Sequence, residues 1–235
     1  MASILTAKPV NVLCRFRSFF VPPRYDLYKV EISSALATKL AEMYGLKSTD
    51  IIVNQGAAGN QYLSFRYFFQ GEPFRHMDVF IGLDQAEIVF SNPGTVAELT
   101  SEVGRALKNV MEALTPVVKG AFFEATLHCE TEKPGAQAFF NEMVRASSDG
   151  PEMPKGVSFS MERGDDSAKL NLEVSDSIPD GLYVVFAYFR KAVLPDIASF
   201  SGLFDSVLTV YRKLQSSASV QILERKIDGS FATSY

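Results

Sequence analysis

Tryptophan is absent from this 235-residue chain, histidine occurs twice and cysteine twice. Cys14 and Cys129 are too few for a disulfide scaffold, and a reduced compartment is the simplest setting for them. A zinc site built from His76, His128 and both cysteines would need four distant positions to converge, and no short ligand spacing supports one, so no metal is expected. Charge of one sign never accumulates: charged residues make up 21% of the chain, and the net charge is −4. That balance argues against a nucleic-acid binder or an anionic-membrane binder that relies on bulk electrostatics. Long hydrophobic runs are missing too. The longest, Leu182 to Phe189, is far short of the roughly 20 residues that span a bilayer. The start, Met1 to Lys8, lacks a basic segment followed by an apolar one, so no signal peptide is expected and a cytoplasmic location follows.

Catalytic motifs are equally scarce. Gly56-Ala-Ala-Gly59 lacks the Lys-Ser/Thr of a phosphate-binding loop and joins strands rather than a strand to a helix. There is no Gly-x-Ser-x-Gly elbow. His128 and Cys129 are adjacent on a strand and so point to opposite faces, which separates a base from its nucleophile. The Asp165-Asp166 pair reads as turn geometry. The scarcity favours a non-enzymatic protein over an enzyme without deciding between them, and no cofactor is expected.

What is abundant is aromatic: 12% of residues, 19 of them phenylalanine. Gln61 to Phe69 and Phe74 to Ile81 read as a hairpin around Gly71-Glu72-Pro73. A three-residue loop sets Leu63, Phe65 and Tyr67 opposite Ile81, Val79 and Met77, giving one coherent apolar face, whereas a two-residue loop mixes the faces. A tight turn at Leu83-Asp84 then brings Ile88 opposite Val79 and Phe90 opposite Met77. The other face carries Tyr62, Ser64, Arg66, Phe68, His76, Asp78, Phe80, Glu87 and Val89, with Arg66 directly across from Asp78. Its aromatic content is high for a surface left in water. Another layer of the same chain, a second chain or a ligand could cover it.

Around this hairpin the chain reads as α+β. Val10 to Phe20 is a strand with Arg15 and Arg17 on one face and Cys14 and Phe16 on the other. Tyr25 to Ile32 is a second strand, and Ser33 or Ser34 caps a helix that carries Leu36, Leu40, Met43 and Tyr44. Ile51 to Val53 is a short strand. Thr95 to Glu98 has capping-box spacing, and Val96, Leu99, Val103, Leu107, Val110 and Leu114 form the stripe of a long helix that ends before Pro116.

Ala121 to Glu130 alternates as a strand, and Pro134 starts a helix through Ala146. A polar loop runs from Ser147 to Pro154. Val157 to Met161, Lys169 to Val174 and Leu182 to Phe189 are strands, followed by a helix from Ile197 to Leu214. Val220 to Leu223 is a short strand, and Asp228 to Tyr235 is a tail. Residues 1–116 and 117–235 thus form two similar halves, each strand, helix, antiparallel strands, long helix. In the second half Ser158, Ser160, Glu162, Lys169, Asn171 and Glu173 make an ordinary outer face.

The succession of Tyr62 to Phe69, Asp78 to Phe90, the helix from Thr95, the strand around Glu124 to Glu130, Val157-Ser-Phe-Ser-Met161, Leu170 to Val174 and a closing helix resembles a family of sporadically distributed, uncharacterised bacterial proteins of about this length. The resemblance implies the architecture and no activity. The histidine often found on that family's last helix has no counterpart between Phe200 and Leu214.

Two functions remain. The first is an interaction or self-association module whose aromatic sheet face, around Tyr62, Arg66, Phe68, Phe74 and Phe80, meets another protein or its own copy; aromatic anchors with arginine at the centre are typical of interface hot spots. The second is a small-ligand or anion-binding protein, an enzyme included, with Arg15, Arg17, Arg66, His76 and Asp78 in a cleft between the halves and Arg24 extending the basic patch.

Overall fold

The computed structural model describes residues 4–53, 63–69, 74–145, 155–194, 197–225 and 231–233. In chain order the elements are β1 (Leu5–Phe20), α1 (Val30–Tyr44), β2 (Ile51–Val53), β3 (Leu63–Phe68), β4 (His76–Ile81), β5 (Gln85–Ser91), α2 (Val96–Leu114), β6 (Val118–Thr131), α3 (Ala136–Arg145), β7 (Gly156–Arg163), β8 (Asp166–Val174), β9 (Leu182–Arg190), α4 (Ile197–Ser217), β10 (Val220–Arg225) and β11 (Phe231–Thr233). The chain is α+β.

Period-two alternation decides the sheet. Leu63 and Phe65 on β3, Met77, Val79 and Ile81 on β4, and Ala86, Ile88 and Phe90 on β5 are all buried. They lie in the register expected from the three-residue loop: Leu63 pairs with Ile81, Phe65 with Val79 and Tyr67 with Met77, while Ile88 pairs with Val79 and Phe90 with Met77. A slip of one residue would have turned this whole set outward. The loop itself, the Gly56–Gly59 connection and the Ser147–Pro154 loop lie outside the described residues.

The strands run β2-β3-β4-β5-β1-β6-β9-β8-β7, with β10 parallel to the start of β1 and β11 antiparallel to β10. Going outward from the central pair, β1 is followed by β5, β4 and β3, and β6 by β9, β8 and β7. β1 and β6 pair antiparallel over thirteen positions, so hydrogen bonding crosses from residues 1–116 into residues 117–235 and the sheet is continuous there. β1 changes neighbour along one edge: Leu5 to Ala7 pair with β10, and Leu13 to Phe19 pair with β5. A bulge between Pro9 and Asn11 marks the change, which suits a proline that has no N–H to give to a ladder. Asn92, in the left-handed region with φ 51°, closes the end of β5 against β1: the Val12 N–H donates to its Oδ1 at 3.0 Å, and its own N–H donates to the Val12 carbonyl at 2.7 Å.

The helices pack on one side of the sheet. Leu99, Val103, Leu107, Val110 and Leu114 bury the predicted stripe of α2, and the Thr95 hydroxyl accepts from the Glu98 N–H at 3.2 Å as the capping box requires. At the other end of α2, Thr115 caps in the left-handed conformation. Leu36, Leu40 and Tyr44 seat α1, which ends on Gly45 with φ 63°. Phe139 and Phe140 seat α3, and Leu203, Val207, Val210 and Leu214 seat α4.

Several expectations need correction. Tyr25 to Ile32 is not a strand: Tyr25–Tyr28 form a 3-10 turn and α1 begins at Val30. The Leu27 and Lys29 N–H groups donate to the Arg24 and Asp26 carbonyls, and Ser33, rather than capping, is buried inside the helix with its hydroxyl on the Val30 carbonyl. Local turn bonds outweigh the β-propensity of these residues, which is a weak preference. α3 begins at Ala136, two residues after Pro134, with Gly135 at φ 88° before it. Leu5 to Pro9 extend β1 because β6 and β10 flank them. Phe231–Thr233, assigned to a tail, pair with β10.

Candidate functional site

The face of the sheet away from the helices carries the candidate residues. On β3, β4, β5, β1, β6, β9, β8 and β7 no side chain of this face is fully buried, although those of the opposite face are the core. No described element lies over it.

The ladder registers place its side chains in rows that run across the strands. One row is Ser64, Phe80, Glu87, Arg17, Phe122 and Phe189. The next is Arg66, Asp78, Val89, Arg15, Glu124 and Ala187. A third runs Phe68, His76, Ser91, Leu13, Thr126 and Val185. Phe19 stands beside Phe189 with ring centres 6.3 Å apart, and the His128 and Tyr183 rings are 4.8 Å apart.

The charges in these rows are partnered within the chain. Arg66 grips Asp78 with two bonds, Nε to Oδ1 at 2.6 Å and Nη2 to Oδ2 at 2.9 Å. Asp78 raises the Arg66 guanidinium above its ordinary value, chiefly through these bonds. His76 Nε2 lies 3.6 Å from the same Asp78 Oδ2 and 3.3 Å from the Ser91 hydroxyl. Glu87 sits between Arg15 and Arg17, with Oε1 2.7 Å from Arg15 Nε and 3.1 Å from Arg17 Nη2, and Arg15 Nη1 reaches Glu124 Oε1 at 3.3 Å. The arginines also lie over rings, Arg17 over Phe122 and Arg66 over Phe68, each 5.9 Å from the centroid. Such pairs keep their counter-ions when a partner removes the surrounding water, which spares them much of the cost of burying a bare charge.

Of the nine residues singled out from sequence, Arg15, Arg17, Arg66, Phe68, His76, Asp78 and Phe80 share this face. Phe74 precedes β4 and is 82% exposed, and Phe68 is 56% exposed. Tyr62 lies outside the described residues. Arg24 is elsewhere: it binds Asp26 through Nε and Nη2, and its Nη1 donates to the Leu114 carbonyl at the end of α2, so it serves the fold as a helix C-terminal cap. Asp166 is more than a turn residue. It opens β8 and holds Arg190 through bonds of 2.7 and 2.8 Å.

Sequence reasoning missed half of the aromatic surface. Phe122, Phe189 and Phe19 extend it across the centre of the sheet. Their outward orientation follows from the alternation of their strands, but their adjacency depends on β6 lying beside β1, which nothing local encodes.

Neither cysteine belongs to this face. Both thiols are on the helix side, and burial pushes each up to about 12, so they are protonated at neutral pH. Among the described residues no group of three or more His, Cys, Asp and Glu could hold a metal ion, and no helix is long and apolar enough to cross a membrane. No family model and no curated protein matches the chain.

Proposed function

We propose that this chain is a non-enzymatic self-association module in which the open sheet face packs against the same face of a second copy. The observation that carries the reading is the partly exposed strip through Phe80, Phe122, Phe189 and Phe19, over which no described element lies, set among ion pairs already closed within the chain. Aromatic rings interleaved with arginine are what interface centres are made of.

Size supports the reading. Eight strands, about 4.8 Å apart and contributing roughly six residues of 3.3 Å each, make a face of about 700 Å². A standard interface takes about 800 Å² from each partner.

Charge supports the choice of a second copy over an unrelated protein. On β3, β4, β5 and β1, Arg15, Arg17 and Arg66 outnumber Asp78 and Glu87, so that side is net positive. On β6, β9, β8 and β7, Glu124, Glu162 and Glu173 outnumber Lys169, so that side is net negative. A two-fold axis parallel to the strands lays each positive side on the partner's negative side, which is the self-complementarity that an isologous dimer needs.

The test is the solution mass of the wild type and of Phe80→Asp and Phe122→Asp, by light scattering and sedimentation. The wild type is expected at twice the 25.9 kDa chain mass, and each variant at the single mass with its far-UV circular dichroism intact. A wild type that stays monomeric at roughly 100 μM, about a hundredfold above a micromolar Kd, overturns the proposal, as does a dimer indifferent to both substitutions.

A further inference from the structure

On the other side of the sheet, between α2 and α4, lies a cavity of about 100 Å³. Its floor is the cross-strand pair Cys14 and Ala125, with Phe123 and Leu127 on either side. The void has a clear origin. Two small residues meet at the middle of the sheet, where β1 has left β10 and has just been taken up by β5, so neither a side chain nor a neighbouring strand fills the space. Leu99, Val207 and Ile222 form walls, and partly exposed Thr95, Leu208 and Glu224 stand at the rim. None of Arg15, Arg17, Arg66, His76 or Asp78 lines it.

One polar group on the wall stands out. The Tyr211 ring packs on Phe186 with centroids 4.9 Å apart, and its hydroxyl makes no hydrogen bond among the described residues. Tyr211 is only partly buried, so its hydroxyl can donate to a molecule that enters the cavity. Burial, with Glu224 and the two thiols adding to it, drives this hydroxyl well above its ordinary range, so it stays a neutral donor. Glu224 at the rim disfavours an anion.

We infer that this cavity is a binding site for a small, neutral, largely apolar molecule of single-ring size that carries one hydroxyl or carbonyl group to meet Tyr211. The volume is about two-thirds of the roughly 150 Å³ at which an apolar protein cavity takes up benzene, and the half-exposed rim leaves room for a substituent. The site is independent of the open face, so either can fail without the other.

Phenol and benzene serve as probes, titrated into the full chain and followed by methyl and aromatic NMR shifts. Saturable binding of both is expected, with shifts centred on Leu99, Leu127 and Val207. Ala125→Leu fills the floor and should weaken both probes about tenfold or more. Ala125→Val does so less and guards against a misfolded larger variant. Tyr211→Phe keeps the shape and should weaken phenol about five- to tenfold, the worth of one hydrogen bond, while leaving benzene unchanged. Absence of saturable binding by either probe, or binding unaffected by both Ala125 variants, overturns the site. An equal response of phenol and benzene to Tyr211→Phe overturns the role of the hydroxyl.

Discussion

Glu98 ties the first turn of α2 to the β3–β4 hairpin, and removing it tests whether that bond holds the two together. Its Oε2 accepts the Gly94 N–H at 3.0 Å and its own N–H goes to the Thr95 hydroxyl, while Oε1 pairs with Arg75. Arg75 is 6% exposed, with its guanidinium 4.5 Å from the centre of the Phe69 ring, which stacks on Phe90 at 5.1 Å. Glu98→Ala loses one helix-start hydrogen bond, worth about 1 kcal/mol, and takes the Glu98 carboxylate from a buried guanidinium that keeps its other contacts, which costs about 3 kcal/mol, the low end for breaking a buried pair. The sum of roughly 4 kcal/mol should lower the urea midpoint by about 1.5 to 2 M at an m-value of 2 to 3 kcal/mol/M.

Arg75→Met places an apolar chain against Phe69 and Phe90, so combining it with Glu98→Ala should restore much of the loss. Equilibrium urea unfolding of the two single variants and the double variant, followed by far-UV circular dichroism, measures the coupling. At least about 1.5 kcal/mol is expected. Single effects that add to within about 0.5 kcal/mol would show that the pair contributes nothing of its own and that the reasoning is wrong.

Two further outcomes follow from named contacts. A Cβ at Gly181 would lie 2.6 Å from Ile178 Cβ and 2.8 Å from the Cys129 carbonyl oxygen, so Gly181→Ala should destabilise by about 1 to 3 kcal/mol in thermal unfolding, and a neutral result would mean that the 175–181 turn yields freely. Hydrogen bonds from Arg190 are the leading cause that holds the Asp166 carboxyl below its ordinary value. Stability from this pair is therefore fully present above the unfolded carboxyl's value near pH 4 and is lost as pH falls through the lower folded value. Asp166→Asn should cost about 1 kcal/mol at pH 7, the scale of a well-formed partly exposed pair, with the gap to wild type closing below about pH 4; a gap independent of pH would remove the ion pair from the account.

Local chemistry was enough for many of the elements. The register of β3, β4 and β5 was legible because a single slip would have exposed Leu63, Met77 and Ile88 together, and α2 because its stripe and Thr95 cap agree. Tyr25 to Ile32 misled because β-propensity is a weak preference that context overrides, and here Arg24 and Asp26 bind each other and the chain turns instead. Arg75 and Glu98 carried no signal, since 22 intervening residues separate them and only the packed hairpin brings them into contact.

The sidedness of the sheet was likewise settled in the sequence. Strict alternation dictates that Arg66, Asp78 and Phe80 share a face, and that Arg15 and Arg17 do. Which strands became neighbours was decided by tertiary structure, because the partners of a strand are chosen by whole-chain topology and not by its own residues. The union of Phe80, Arg17, Phe122 and Phe189 into one strip arises from that choice, as do the neutralisation of both arginines by Glu87 and Glu124 and the cavity over Cys14 and Ala125.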